Sequence, residues 1–358
     1  MLQIGLIGCG HIGTVHSYAL RQLTDAGLID AAVTATFDTD RERAVRLAGE
    51  NEGAAPAESV DALLDSVDVA WICTWTDGHL PAVEAAVARG LPVFCEKPLA
   101  PTLADCRAIA AALSGVPNQV GLVLRHAAVF RNIAEAVHSG RYGKPMALVL
   151  RDDQYFPIQG MYGSTWRSDV AKAGGGTLIE HSIHDLDVIN WILGPPESVS
   201  AHTASIFGYP GIEDAASLRL AYPGGATASL ISVWHQVTTR PSTRRLELFC
   251  EEAFLWTEDD YLGPLHIETS AGAETIEGDP PAWIDQLTVP EVLAKPLAQY
   301  AEPSKAFLDS LVANPESTRG YPDVHVALAA HEVLDGAYRS AAVGGETQLL
   351  TPDPGALR

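Results

Sequence analysis

Along the first third of the chain, short apolar runs alternate with amphipathic stretches. LQIGLIG reads as a strand, HIGTVHSYALRQL as a helix, AAVTATFD as a second strand and TDRERAVRLAGEN as a charged amphipathic helix. The alternation continues through VDALLDS (helix), VDVAWICT (strand), HLPAVEAAVARG (helix ending on Gly90), LPVFCEKP (strand), TLADCRAIAAALSG (helix) and QVGLVL (strand). Strands fed by helices in this order predict an α/β domain with a doubly wound parallel sheet over residues 1–122.

The pattern changes after residue 122. A helix at FRNIAEAVHSG is followed by strand-like runs at MALVLRDDQYF, SVSAHTASIFG, AASLRLAYPGGATASLISVWH and RRLELFCEEAFLWTE, with helices near 177–193 and 323–341. YPGGA, residues 222–226, is a hairpin signal and so an antiparallel one. Residues 123–358 are therefore expected to form an α+β domain with a mostly antiparallel open sheet and helices on one side. A chain of 358 residues suits such a two-domain division. The tail TPDPGALR is expected to be disordered.

Charge narrows the partners. A formal net charge of −22 repels phosphate backbones and anionic lipid, so neither nucleic acid nor a membrane surface is expected as a partner. Cys9, Cys73, Cys95, Cys106 and Cys250 are odd in number and contain no CxxC pair, which points to neither disulfides nor zinc and fits a reducing cytoplasm. MLQIGLIGCG has no basic leader, and no apolar run reaches the about 18 residues of a spanning helix, so no export signal or anchor is expected.

Two groups of residues carry chemistry. Gly8, Gly10 and Gly13 form G-x-G-x-x-G where the first strand meets the first helix, followed by Asp38 at the end of the second strand. Glycines there let the backbone approach a pyrophosphate at a helix N-terminus, and the carboxylate suits adenosine ribose hydroxyls. The Asp38 charge opposes a 2′-phosphate and favours NAD, while nearby Arg41 and Arg43 keep NADP possible. The second group is GGGTLIEHSIHDLDVINWILG, residues 174–194, with a glycine lead-in expected to be flexible. On a continuous helix Glu180, His184 and Asp187 share one stripe, with His181 beside it. A carboxylate and imidazole one turn apart suit proton transfer; ligation of a divalent ion and a plain solvated or packed face are the alternatives.

The glycine fingerprint, CEKPLA at residues 95–100 and GGGTLIEHSIH, in this order, resemble the Gfo/Idh/MocA family of NAD(P)-dependent oxidoreductases over nearly the whole chain. The resemblance implies a Rossmann domain followed by a domain with an open antiparallel sheet, and oxidation or reduction of a secondary alcohol of a sugar, inositol or related polyol. It implies that Lys97 is the acid/base, that Pro98 follows a cis bond, that Glu96 lies near the nicotinamide ribose and that His184 acts beside the lysine. Glu180 stands where the family commonly has aspartate. The catalytic set expected is thus Lys97, His184 and Glu180.

Cofactor contacts are expected from Gly8, Gly10, His11, Ile12, Gly13, Asp38, Thr74, Trp75, His79, Glu96 and Lys97, the segment CTWTDGH being the counterpart of a pocket-lining loop. By residue type alone His11, His16, His79, His325 and His331 also read as loop, cap or core residues. Substrate contacts are expected from Lys97, Arg125, Tyr155, Trp166, Arg167, Glu180, His181 and His184, with His126 beside Arg125 sharing its position after the last Rossmann strand. No resident metal is expected. The partners implied are a small carbohydrate-like molecule and further copies of the chain, as a dimer or tetramer. Redox-neutral NAD-dependent glycoside cleavage and non-catalytic dinucleotide sensing are the alternatives.

Overall fold

The computed structural model describes residues 1–159, 163–313 and 320–351. The chain divides into two compact units, one formed by residues 1–100, 104–123 and 280–324, the other by 101–103, 124–279 and 325–358.

The first unit begins with β1 (Leu2–Ile7), α1 (His11–Asp25), β2 (Ala31–Phe37), α2 (Arg41–Gly49), β3 (Ala55–Pro56) and α3 (Val60–Leu64). It continues with β4 (Val69–Ile72), α4 (His79–Val87), β5 (Val93–Cys95), α5 (Leu103–Leu113) and β6 (Asn118–Val120). The six strands are all parallel, in the order β3-β2-β1-β4-β5-β6. Order reverses beside β1, which opens a crevice at the carboxyl ends of β1 and β4. β4 and β5 are buried on both faces, as strands covered by helices on each side must be.

The second unit contains α6 (Ala128–His138), β7 (Pro145–Tyr155), α7 (Val170–Ala173), α8 (Thr177–Glu180) and α9 (Ile183–Leu193). Strands β8 (Ser198–Ala204), β9 (Ala215–Ala221), β10 (Thr227–His235), β11 (Thr243–Cys250), β12 (Ala253–Thr257), β13 (Leu265–Thr269) and β14 (Gly272–Ile276) follow. They form a nine-stranded sheet, β14-β13-β12-β11-β7-β10-β9-β8-β15, whose last strand is β15 (Gln348–Leu349). Every pairing is antiparallel except β7 with β10. Alternation along β7 sends Leu148, Leu150 and Asp152 inward, and the apolar members join α6, α9 and α11 (Val324–Ala342) in one core. Each fully buried Leu or Ile of that core contributes about 1.5–3 kcal/mol.

Three expectations need correction. The region after 122 is not one domain: α10 (Glu291–Ala313) packs Leu297, Ala301 and Phe307 into the core that holds Leu20, Leu23 and Trp71 of the first unit. That helix escapes a pattern search because Pro296 and Pro303 lie inside it. Second, residues 177–193 are two helices, broken at His181 and Ser182, so Glu180 and His184 do not lie on one continuous stripe. Of a solvated or a packed face it is the packed one, since Ile183 to Asn190 are all buried. Third, GGG is a packed clamp: a Cβ at Gly175 would strike the Tyr338 hydroxyl, one at Gly176 the Glu213 carbonyl, and Gly174 has φ of 83°. The tail read as disordered lies, apart from Thr351, outside the described residues.

Candidate functional site

In the first unit the expected cofactor residues collect at the carboxyl edge of the parallel sheet. Gly8, at φ of 95°, lies so close to the strand-end turn after β4 that a Cβ would come within 2.5 Å of the Cys73 carbonyl. A Cβ at Gly13 would strike the Gly8 carbonyl, so this glycine lets α1 pack against the loop. Gly10 is different, because nothing lies within 4 Å of the Cβ it lacks. Gly10 is the N-cap of α1, which has no side-chain cap and no acidic residue in its first turn, leaving N–H groups to take an anion. His11 and Ile12 are the first residues of that helix. Asp38 accepts the Cys9 N–H at 2.7 Å and the Asp40 N–H at 2.8 Å, which fixes its carboxylate beside the loop with further lone pairs available for hydroxyls. Arg41 is paired with Glu58 at 2.7 Å and Arg43 with Asp40 at 3.2 Å.

The turn after β4 presents Thr74 and a part-exposed Trp75. His79 is not at the surface: its ring is 1 % exposed, with Nδ1 2.9 Å from the Pro98 carbonyl and Nε2 3.2 Å from that of Thr74. It ties the β4 turn to the segment after β5, and burial lowers its pKa. Glu96 is enclosed as well. Its carboxylate turns inward onto His16 at 2.7 Å and accepts the Lys97 N–H at 3.0 Å. Lys97 itself is half-buried at the strand exit, and its bond to Pro98 is cis.

In the second unit the GGG segment is held from below by Glu213, whose carboxylate accepts the N–H groups of Gly176 (2.8 Å) and Leu178 (2.9 Å) and the Tyr338 hydroxyl (3.0 Å). Burial pushes the Glu213 carboxyl above its ordinary range despite these donors. α8 thereby carries Glu180, whose buried carboxylate accepts Arg167 Nε at 2.8 Å. Arg167 also donates to Ser164 Oγ at 2.6 Å and lies over the Trp166 ring, 4.5 Å from its centroid. His181 Nδ1 accepts the indole N–H of Trp234 at 2.5 Å, which assigns the ring hydrogen to Nε2. His184 is buried near the start of α9, and Tyr155 donates its hydroxyl to the Arg240 carbonyl.

Arg125, expected at the substrate, and Asp187, of the expected helix stripe, are partners of each other. Arg125 and Asp187 are both buried and joined through a fork, with Nε at 2.9 and 3.0 Å from the two carboxylate oxygens and Nη2 at 2.7 Å. The guanidinium also lies 5.1 Å from the Trp191 ring centroid. Arg125 therefore holds α9 to the turn before α6. The candidate metal ligands are spoken for in the same way, Glu180 by Arg167, Asp187 by Arg125 and His181 by Trp234. Among the described residues no group of three His, Cys, Asp or Glu side chains is placed to hold a metal ion, and no helix is long and apolar enough to cross a membrane. All five cysteines are buried and free.

No pattern along the chain pointed to the charge cluster beneath the α8–α9 junction. Arg244 reaches Asp185 at 2.7 Å, Asp260 at 3.0 Å and Asp152 at 3.6 Å, and Ser182 donates to Asp152 at 3.3 Å. One cation serves three carboxylates, of which Asp152 and Asp185 are fully buried. Burial pushes Asp152 up to about 7, against the pull of Arg244 and with added repulsion from Asp185. A carboxyl raised in the folded state stabilises most at low pH and loses that contribution as pH rises through the folded value. The stability of wild type relative to Asp152→Asn should therefore fall by about 2–4 kcal/mol between pH 4 and 8. Urea unfolding of both proteins at the two pH values measures this; a constant difference would show that Asp152 does not titrate there.

The sequence matches two family models. One, described as an oxidoreductase family with an NAD-binding Rossmann fold, covers residues 2–122, and the other, a GFO/IDH/MocA C-terminal domain, covers 130–255. Curated relatives include a 1,5-anhydro-D-fructose reductase of Ensifer adhaerens, 32% identical over 55% of this chain and 60% of that protein. An inositol 2-dehydrogenase of Ralstonia nicotianae is 34% identical over 62% of each. These matches span about six-tenths of each relative's length. A solved levoglucosan dehydrogenase in complex with NADH and L-sorbose shares the fold, with a TM-score of 0.86 at 18% identity, covering 98% of this chain and 99% of that one. With a six-stranded Rossmann sheet, an open mixed sheet after it and both family models matched in order, the chain belongs to the Gfo/Idh/MocA family of oxidoreductases.

Proposed function

We propose that this chain is an NAD-dependent oxidoreductase that interconverts a secondary hydroxyl and a ketone on a sugar, inositol or related polyol. The observation that carries the reading lies within the first unit. The open side of Gly10, the fixed carboxylate of Asp38 and the exit of β5 into Lys97 all lie at the carboxyl edge of one parallel sheet. The activities of the relatives, a reductase and dehydrogenases of cyclic polyols and anhydrosugars, agree with that substrate class.

NAD, when bound, supplies the hydride acceptor. The chain's own work is binding and proton traffic. Asp38 receives the adenosine ribose hydroxyls, and its charge, with Arg41 and Arg43 already paired to carboxylates, disfavours a 2′-phosphate. Lys97 takes the proton of the reacting hydroxyl at Nζ, which requires an approach of about 2.6–3.2 Å. His184 is the second proton carrier, and Glu180, paired with Arg167, orients a substrate hydroxyl. We place the protein in a reducing cytoplasm on its five free, buried cysteines. Further copies of the chain cover the open face of the nine-stranded sheet, where Val149, Ile231 and Phe249 stand exposed on neighbouring strands.

NADH absorbance with NAD, and separately NADP, against myo-inositol, free hexoses, sugar acids and glycosides tests the reading, with keto-sugars and 1,5-anhydro-D-fructose for the reverse direction. Net NADH change with one of these is expected. NAD binding by calorimetry with no turnover in either direction would replace the reading with a non-catalytic one, and leaving-group release without net NADH would replace it with a redox-neutral one. Asp38→Asn should weaken NAD binding about 10- to 100-fold and narrow the preference over NADP. Equal affinities for NAD in the two proteins would remove Asp38 from the ribose site.

A further inference from the structure

Glu96 and His16 form a buried pair directly behind Lys97. The Glu96 carboxylate is 4 % exposed and His16 is fully enclosed, with 2.7 Å between Oε1 and Nε2. The imidazole sits edge-on to three rings, Phe94 at 5.0 Å, Tyr300 at 5.7 Å and Trp71 at 5.8 Å between centroids. Its Nδ1 meets no hydrogen-bond partner. A hydrogen on Nδ1 would be stranded in that apolar cage, so the hydrogen resides on Nε2 and is donated to Glu96. The other carboxylate oxygen, Oε2, accepts the backbone N–H of Lys97 at 3.0 Å. Space for the carboxylate comes from the residue that follows β6, since a Cβ on Gly121 would lie 2.5 Å from Oε1.

We propose that His16 and Glu96 are positioning residues for Lys97, a relay from α1 through a buried carboxylate to the peptide that carries the lysine. The argument is one of constraint. A buried carboxylate must keep its donors, and here its donors are one ring nitrogen locked by packing and one main-chain N–H. Rotation of the Lys97 peptide would strand Oε2, so the plane from which the lysine side chain departs is set by the position of His16. Neither His16 nor Glu96 needs to touch substrate. The inference rests on the reading of Lys97 as the proton carrier, and the test separates the two.

In the full chain with NADH bound, lysines are reductively methylated with isotope-labelled formaldehyde, and the Lys97 methyl resonance is identified by its loss in Lys97→Arg. Glu96→Gln and His16→Phe should move that resonance and lower kcat about 10- to 100-fold, with the Kd for NADH unchanged. His16→Gln, whose amide can still donate to Glu96, should stay near wild type in both readouts. In a Lys97→Ala background Glu96→Gln should cost nothing further, because the relay then has nothing to position. An unmoved Lys97 resonance in Glu96→Gln overturns the proposal, as does a full loss of kcat by Glu96→Gln that persists in the Lys97→Ala background. Should His16→Phe fail to fold, Glu96→Gln, which keeps the shape of the side chain, decides alone. Wild-type turnover in Lys97→Ala would instead overturn the role of Lys97, leaving the resonance to report on the positioning.

Discussion

Replacement of Lys97 by alanine should lower kcat about 100- to 10,000-fold, the usual range for removal of a general acid or base. The Kd for NADH should change by no more than about twofold, since the glycine loop and Asp38 are untouched. The reason is balance. Hydride can leave a carbinol carbon for the nicotinamide only if the hydroxyl proton leaves too, and an alanine offers no acceptor. Lys97→Arg sharpens the test. Arginine keeps a cation at the strand exit but cannot be deprotonated in a protein, so a base requirement leaves Lys97→Arg as inactive as Lys97→Ala, whereas a merely electrostatic role restores most of the rate. Stopped-flow NADH formation with the panel substrate giving the largest signal measures both variants. Wild-type turnover in either would exclude a base role for Lys97.

The glycine loop, CEKPLA and the GGG helix start were legible because each is a local device, in which residues near in sequence do one job. Gly8, Gly10 and Gly13 fall within a single turn, and the structure gives each a different packing environment. What was not legible depends on distant partners. Arg125 was read only by its place after the last Rossmann strand, and its buried partner Asp187 lies 62 positions away. Glu96 looked like a ribose contact, but His16, 80 positions earlier, draws it inward. Glu213 announced itself by no motif at all, although it clamps the main chain of the GGG segment from 35 and 37 positions away. Helix α10 was hidden by two internal prolines, whose local cost is outweighed by burial of Leu297, Ala301 and Phe307. Apart from α10 and the break at His181 and Ser182, type and order of elements follow from local pattern here, while the inward or outward direction of a charged side chain does not.

Arg125 supplies the second large effect, and it separates the two readings of that residue. If the guanidinium serves as a tie, Arg125→Met leaves the Asp187 carboxylate buried with its principal cation gone, a loss of about 3–5 kcal/mol. Burial already pushes the Asp187 carboxyl above its ordinary range even with Arg125 in place, so in the variant this group takes up a proton, which caps the loss near that figure. Thermal or urea unfolding of the second unit reads the effect directly. A double replacement, Arg125→Met with Asp187→Leu, should recover most of the stability, because exchanging both members of a buried ion pair for apolar side chains of similar size removes the unpaired charge. A substrate contact behaves in the opposite way: KM rises, stability holds, and the double replacement rescues nothing. Since α9 also carries His184, the tie further predicts that kcat falls with stability in Arg125→Met and returns with it in the double variant, so recovery of stability without recovery of kcat would show that Arg125 has a role at the site itself.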